Sequence, residues 1–175
     1  MANRNFASSL LPAALLLVSP LLVGSAGFRT NFDARLLAAQ NRARAEMGAR
    51  PMTWNAQLAT DAKVWADRLA ETGRFEHSPD EPGAEPQGEN LWAGTPGAYA
   101  PESMVGLWVV EKRDYKPGIF PYNSRSGDVK NVGHYTQIIW RETTQVGCSM
   151  TRGRREEVLV CRYSSPGNVT GQRPI

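Results

Sequence analysis

The sequence predicts an α+β domain, or a layered α/β/α one, from three observations. Amphipathic helical patterns fill the first half of the chain behind an apolar leader, two alternating strand patterns close it, and no βαβ rhythm connects them. The closing strands also share a symmetry. Cys148 and Cys161, the only two cysteines among 175 residues, lie equally far from one intervening turn.

Residues 1–26 read as a secretory signal peptide. Arg4 supplies a positive start, Leu10 to Val23 is apolar apart from Ser19, and Gly24, Ser25 and Ala26 provide small residues for cleavage after Ala26. An uncleaved membrane anchor is the alternative. Pro12 and Pro20 interrupt the run, however, and about 20 apolar residues are needed to cross a bilayer. Residues 27–175 then form a single domain, long enough to bury its own core.

Thr30 or Asn31 caps a first helix in which Phe32, Leu36, Gln40, Ala43 and Met47 recur at spacings of three and four, and Gly48 ends it. Pro51 to Trp54 is a short extended connection. Asn55 caps a second helix with Leu58, Ala62, Trp65 and Leu69 on one stripe, closed by Gly73. Residues 79–88, PDEPGAEPQG, are a surface loop, and Pro96-Gly97 marks a turn. Pro101 stands at the first position of a third helix reaching about Tyr115, and Pro117 to Asp128 returns to loop. Gly133 to Trp140 reads as a helical turn leading into a strand. Val146, Cys148 and Met150 then alternate with polar or small residues, as do Leu159, Cys161 and Tyr163, around a turn at residues 152–156. Pairing 148 with 161 and 146 with 163 sets the cysteines face to face across an antiparallel ladder. In an oxidising compartment they close a disulfide contributing about 3 kcal/mol.

The charge is modest, +3 over the whole chain, one unit of it from Arg4 in the leader. Arg152, Arg154 and Arg155 cluster, but Glu156 and Glu157 follow at once, so a turn between strands explains them better than a nucleic-acid surface. Past the leader there is no candidate membrane segment.

Four residues carry the chemistry. The chain has two histidines, His77 behind the second helix and His134 after Gly133. Either one alone is more often a cap or a packed side chain than a ligand. Glu111 is more informative. It shares a helix face with Met104, Trp108 and Tyr115, which points a carboxylate at an interior or a cleft. Burying it ionised costs several kcal/mol unless a cation, a metal or hydrogen-bond donors meet it, and a structural ion pair with an arginine is the equal alternative. Glu89, in Gly88-Glu89-Asn90-Leu91, reads by itself as an exposed loop acid. Two imidazoles and two carboxylates suit zinc or a similar divalent ion, with a glutamate as general base in a metallohydrolase. There is no HExxH, no GxSxG, and Ser78 beside His77 is only an adjacency. Bridged cysteines exclude cysteine catalysis.

The string GHYTQIIWRET at 133–143 resembles the signature of the CAP superfamily, the cysteine-rich secretory, antigen 5 and pathogenesis-related proteins. VLVCRYSSPGN at 158–168 is similar to the second family signature, departing at Ser165, where proline is usual. Gly88 to Leu91 resembles a third motif, and Leu58, Ala62 and Trp65 fit the family's second helix, so the resemblance covers about residues 30–175. It implies a three-layer α-β-α sandwich with a central antiparallel sheet and a large cleft. That cleft would hold His77, Glu89, Glu111 and His134, with both histidines able to bind Zn2+ or another divalent cation and the glutamates nearby through water. The resemblance also matches the Cys148–Cys161 pairing to a family disulfide, while the extra bridges of many animal members are missing.

Family members are linked to sterol and fatty-acid binding, antimicrobial defence, venom activity and, in a few cases, proteolysis. The sequence therefore supports a secreted protein whose cleft binds a lipid, sterol, glycan or peptide, with or without a metal. The alternative is a metal-dependent extracellular peptidase or esterase using Glu89 or Glu111 as base, and a structural or adhesive role is a third. The expected location is extracellular, or periplasmic in a Gram-negative bacterium, with no nucleic-acid partner and no stable membrane insertion after leader removal. Asn168-Val169-Thr170 is a sequon that a eukaryote could glycosylate.

Overall fold

A computed structural model describes residues 25–79 and 82–175, with side chains from residue 31 onward. The segment read as a leader lies outside the described residues apart from Ser25 and Ala26. Helix α1 spans Ser25–Glu46, α2 Ala56–Thr72, α3 Pro101–Val109 and α4 Gly133–Ile139; strands β1 Thr53–Trp54, β2 Gly88–Gly94, β3 Gln145–Arg152 and β4 Glu157–Ser164 form one sheet in the order β1-β3-β4-β2. Among the described residues no helix is long and apolar enough to cross a membrane.

Alternation along the strands builds the layers. Leu159, Cys161 and Tyr163 of β4 face a core shared with Leu36, Ala39 and Ala43 of α1, Met104 and Trp108 of α3 and Tyr135 and Ile138 of α4. Their neighbours Val158 and Val160 face the other way, onto Ala62, Ala66 and Leu69 of α2. The sheet is thus sandwiched, with α2 on one side and α1, α3 and α4 on the other. The predicted hairpin register holds: Val146 pairs with Tyr163 and Cys148 with Cys161, whose Cα atoms stand 4.0 Å apart and whose sulfurs are bonded.

Four expectations are revised. First, α1 begins at Ser25, ahead of the cap read at Thr30 or Asn31, because no proline intervenes to stop its hydrogen bonding. Second, Gly88 does not end a loop and Glu89 is no loop acid: both belong to β2, which pairs antiparallel with β4 along its whole length. Third, the sheet is antiparallel except at one edge, where two-residue β1 runs parallel to β3. Fourth, α3 stops at Val109 and tightens into a 3-10 turn over Val110–Arg113 before reaching Tyr115.

The caps of α2 follow the reading. Asn55 Oδ1 accepts from the backbone N–H groups of Gln57 and Leu58, and Gly73, at φ +68°, closes the helix in a conformation that side chains resist.

Arg35 of α1 clasps Glu102 of α3 through two hydrogen bonds of 2.8 and 2.6 Å. Those bonds from Arg35, with Glu102's own backbone N–H and against slight burial, hold the Glu102 carboxyl down from 4.5 to about 2. A carboxyl depressed on folding adds stability above its unfolded value, and that contribution is lost as pH falls through the folded one. The Glu102 carboxyl carbon is expected to titrate near 2 by NMR and to return toward 4.5 in Arg35→Met. An unchanged midpoint would show that the clasp does not persist in solution.

Candidate functional site

Glu111 resolves first. Its 3-10 turn follows α3, and its carboxylate reaches the start of α4, a helix whose N-cap residue, Val132, has no side chain able to cap it. Oε2 accepts the backbone N–H of His134 at 2.9 Å and of Tyr135 at 3.0 Å, while Oε1 lies 2.6 Å from His134 Nδ1. Glu111 thus supplies the cap from a different element, with its negative charge at the positive end of α4. The partner is histidine and backbone, not the arginine of the alternative reading.

His134 is held on two further sides. Trp108 stacks on its ring, 6.0 Å between centroids and 14° between planes, and the indole N–H of Trp108 is fixed on the Leu91 carbonyl at 2.9 Å. Asn90 donates to the His134 carbonyl at 3.1 Å and to the Tyr163 hydroxyl at 3.2 Å. That hydroxyl in turn donates to Gln40 Oε1 at 2.7 Å. Burial pushes the Tyr163 phenol well above its ordinary range, so it stays a donor.

The second pair is His77 with Glu89. His77 Nδ1 lies 2.6 Å from Glu89 Oε1, which also accepts the Ser78 backbone N–H at 3.1 Å. Arg162 stands 3.2 Å from Glu89 Oε2 across the β2–β4 ladder, where residues 89 and 162 are register partners. Burial alone would raise the Glu89 carboxyl; His77, Arg162 and the Ser78 N–H more than offset it and hold it below the usual carboxylate range. The Glu89 side chain is 7% exposed, so it is no loop acid, whereas His77 is 64% exposed.

The four predicted residues are therefore present as two His–Glu pairs. Consecutive residues of edge strand β2 link them: Glu89 binds His77, and Asn90 binds the backbone of His134. Gly88, just before them, leaves room for the buried Gln137 amide, whose oxygen a Cβ there would meet at 2.1 Å. Among the described residues no three histidine, cysteine, aspartate or glutamate side chains are grouped as metal ligands. A carboxylate cannot donate, so each Nδ1 carries the proton and each neutral ring keeps its lone pair on Nε2. This is the carboxylate–histidine arrangement that orients an imidazole for a metal or a polar ligand. In its chemistry alone, an imidazole Nε2 backed by a carboxylate is a donor that zinc or a similar divalent ion accepts.

Arg162 and Asn90 escaped the reading of the sequence. Asn90 lies on β2 and Arg162 faces it from β4, and the sequence carried no signal for either: Glu89-Asn90-Leu91-Trp92 runs polar, polar, apolar, apolar, without the alternation that marks a strand. The sequon residue Asn168, at φ +57°, is a clasp: its amide donates to the Gly133 carbonyl at 2.9 Å and accepts the Thr136 hydroxyl at 2.6 Å, fastening the tail onto α4.

A family model described as the cysteine-rich secretory protein family, CAP, matches residues 37–163. A pathogenesis-related protein of PR-1 type from Sambucus nigra is 32% identical over 175 residues, covering 99% of each chain. The basic form of pathogenesis-related protein 1 from Nicotiana tabacum is 39% identical over 137 residues, 77% of this chain and 71% of its own. Among solved structures, NaASP2 with Zn2+ superposes at a TM-score of 0.67 and 21% identity, covering 81% of this chain and 83% of that one. MpPR-1i does so at 0.53 and 18%, covering 85% and 98%.

Proposed function

The chain belongs to the cysteine-rich secretory protein (CAP) family, and from that premise we propose that it is a secreted binding protein whose two His–Glu pairs present imidazole Nε2 atoms to an extracellular ligand. The ligand is a lipid, sterol, glycan or peptide, held directly or through a divalent ion such as Zn2+. The observation that carries this reading is the locking of both Nδ1 atoms by carboxylates, Glu89 nearly buried and Glu111 half-buried, which leaves one oriented acceptor on each ring. A leader-like N-terminus and a buried disulfide support the secreted setting.

The same geometry argues for binding over hydrolysis. A general base needs a free lone pair beside the reacting water. Glu111 already accepts from His134 Nδ1 and two backbone N–H groups, and Glu89 Oε1 from His77 Nδ1 and the Ser78 N–H, while Glu89 Oε2 makes no hydrogen bond but is buried beside the Arg162 guanidinium, away from any reacting water. Both cysteines are bridged, and at Ser78 it is the backbone N–H, not the hydroxyl, that engages Glu89.

Equilibrium titration with Zn2+ alone, and separately with sterols, fatty acids and cell-envelope fragments, tests the proposal. The protein is expected to bind at least one of these organic ligands saturably, with His134→Ala abolishing the binding. Zn2+ affinity is expected to fall about tenfold or more in His77→Ala or His134→Ala, and 10- to 100-fold in Glu111→Gln through loss of ring orientation. Absence of saturable binding to every organic ligand, or binding indifferent to His134→Ala, would overturn the assignment. Peptide or ester hydrolysis lost in His134→Ala would favour the enzymatic alternative.

A further inference from the structure

We propose a second functional surface, built by the 117–123 loop and the tail that follows β4, which docks the protein peripherally on anionic lipid bilayers. The surface involves none of the His–Glu residues. Two tight turns lie side by side there. Tyr122 N–H donates to the Ile119 carbonyl and Gln172 N–H to the Val169 carbonyl, while Phe120 exchanges hydrogen bonds with Gln172 and Gly171 at 2.8 and 2.9 Å. Phe120 turns inward, its ring edge-on to buried Trp140. Ile119, Tyr122 and Val169 are left outward, 43%, 79% and 36% exposed. A fixed loop that sends one aromatic into the core and presents another to solvent exposes that apolar apex at a cost in hydration, which burial elsewhere would recover.

Charge selects the occupant. Residues 112–130 and 165–175 carry six lysines and arginines against two aspartates and no glutamate, although the whole chain is only +3. Several of the basic residues stand in the backbone that flanks the two turns. Lys116 N–H bonds the Asn123 carbonyl, Arg125 N–H bonds the Asp114 carbonyl, and Arg173 follows Gln172. Lys116, Arg125, Lys130 and Arg173 are exposed, and none makes an ion pair among the described residues. Asp114 accepts from the Ser124 and Ser126 hydroxyls and keeps its charge, so the acids of these segments are the two aspartates against six basic residues. An apolar, aromatic tip flanked by exposed cations that make no ion pair among the described residues is complementary to a bilayer interface bearing anionic headgroups: the tip enters the headgroup–acyl boundary and the cations meet the lipid charge.

Vesicle co-sedimentation with phosphatidylcholine, with and without phosphatidylserine, tests this. All proteins compared share one N-terminus, so any leader contribution cancels. Binding is expected only with phosphatidylserine and to weaken with salt. Ile119→Ser/Tyr122→Ser is expected to reduce partitioning by about tenfold or more, and Lys116→Glu/Arg173→Glu by about 25-fold or more. Tyr122→Trp should match or exceed the wild type, which separates loss of the tip from loss of the fold. Thermal melts should not move, because these side chains are exposed. No binding to phosphatidylserine vesicles would overturn the proposal. So would binding unaffected by the Ile119/Tyr122 change, or equal salt-sensitive binding to soluble polyglutamate, either of which would mark a purely ionic site for acidic polymers.

Discussion

Replacing Arg44 by methionine is expected to destabilise the protein by about 4 kcal/mol or more, among the largest effects available to a single side chain. Arg44 lies in the last turn of α1 and is fully buried. Among the described residues its guanidinium has no carboxylate partner. Nε donates to the Arg50 carbonyl at 2.7 Å, one terminal nitrogen to the carbonyls of Ile138 and Trp140 at 2.7 and 2.8 Å, and the other to the Thr143 carbonyl at 2.8 Å. Ile138 and Trp140 stand at the C-terminal end of α4, where the helix field is negative, so carbonyl dipoles stand in for a counter-ion. Burial nevertheless lowers the Arg44 pKa, a sign that the charge is held at a cost. Methionine fills the channel but leaves those carbonyls without their donor in a dry place, at about 1–3 kcal/mol for each that water cannot reach. Lysine recovers only part of the loss, since an ammonium cannot span the fork of a guanidinium. Urea unfolding measures both; a methionine variant within about 1 kcal/mol of wild type would show that solvent reaches these carbonyls.

Gly147→Ala is expected to cost at least about 3 kcal/mol, or to prevent folding. A Cβ at 147 would sit 2.2 Å from the Ala59 nitrogen, 2.4 Å from the Asn55 oxygen and 2.7 Å from the Leu58 carbonyl carbon. All three atoms are backbone in and around the first turn of α2, so no rotamer can relieve the contact. Nor can the helix back away. Asn55 N–H bonds the Val146 carbonyl at 2.9 Å, and its side-chain amide bonds Gln145 Oε1 at 2.8 Å, tying the start of α2 to the strand that would push it off. Gly106→Ala is the control. Gly106 lies within α3 with nothing within 4 Å of its added methyl, and alanine there is expected to stabilise by about 0.5–1 kcal/mol. Unfolding midpoints of the two variants should move in opposite directions. A tolerated alanine at 147 would mean that α2 seats on β3 with more slack than its hydrogen bonds show.

These two positions lie where the amino-acid pattern was least informative. Arg44 falls outside the spacing read for α1, and nothing in the pattern marked it. Gly147 reads as one more small residue between two inward strand positions. Each is explained only by what another segment places against it. Glu89 is the same case at the candidate site: it reads as a loop acid because the seven residues of β2 include Gly, Glu and Asn, poor strand formers whose pairing is decided by β4 alongside. Glu111 stands between the extremes. Its helical phase with Met104, Trp108 and Tyr115 put it on an inward face, but phase could not say whether arginine, metal or a helix end would meet it there.

What the sequence determined by itself is everything carried by short-range periodicity and chain reversal. That includes the helices and their caps at Asn55 and Gly73, the closing hairpin with its register and the Cys148–Cys161 bridge, and the family motifs. Tertiary structure alone decided which polar groups meet. The joining of His77 to Glu89 and His134 to Glu111, the Arg162 and Asn90 contacts, the buried Arg44 and the close seat of α2 on Gly147 all cross between elements far apart in the chain. The reason is physical. Local pattern encodes how a segment hides its apolar face, while a buried charge or a missing Cβ is set by the particular atoms that arrive from elsewhere to satisfy or fill it.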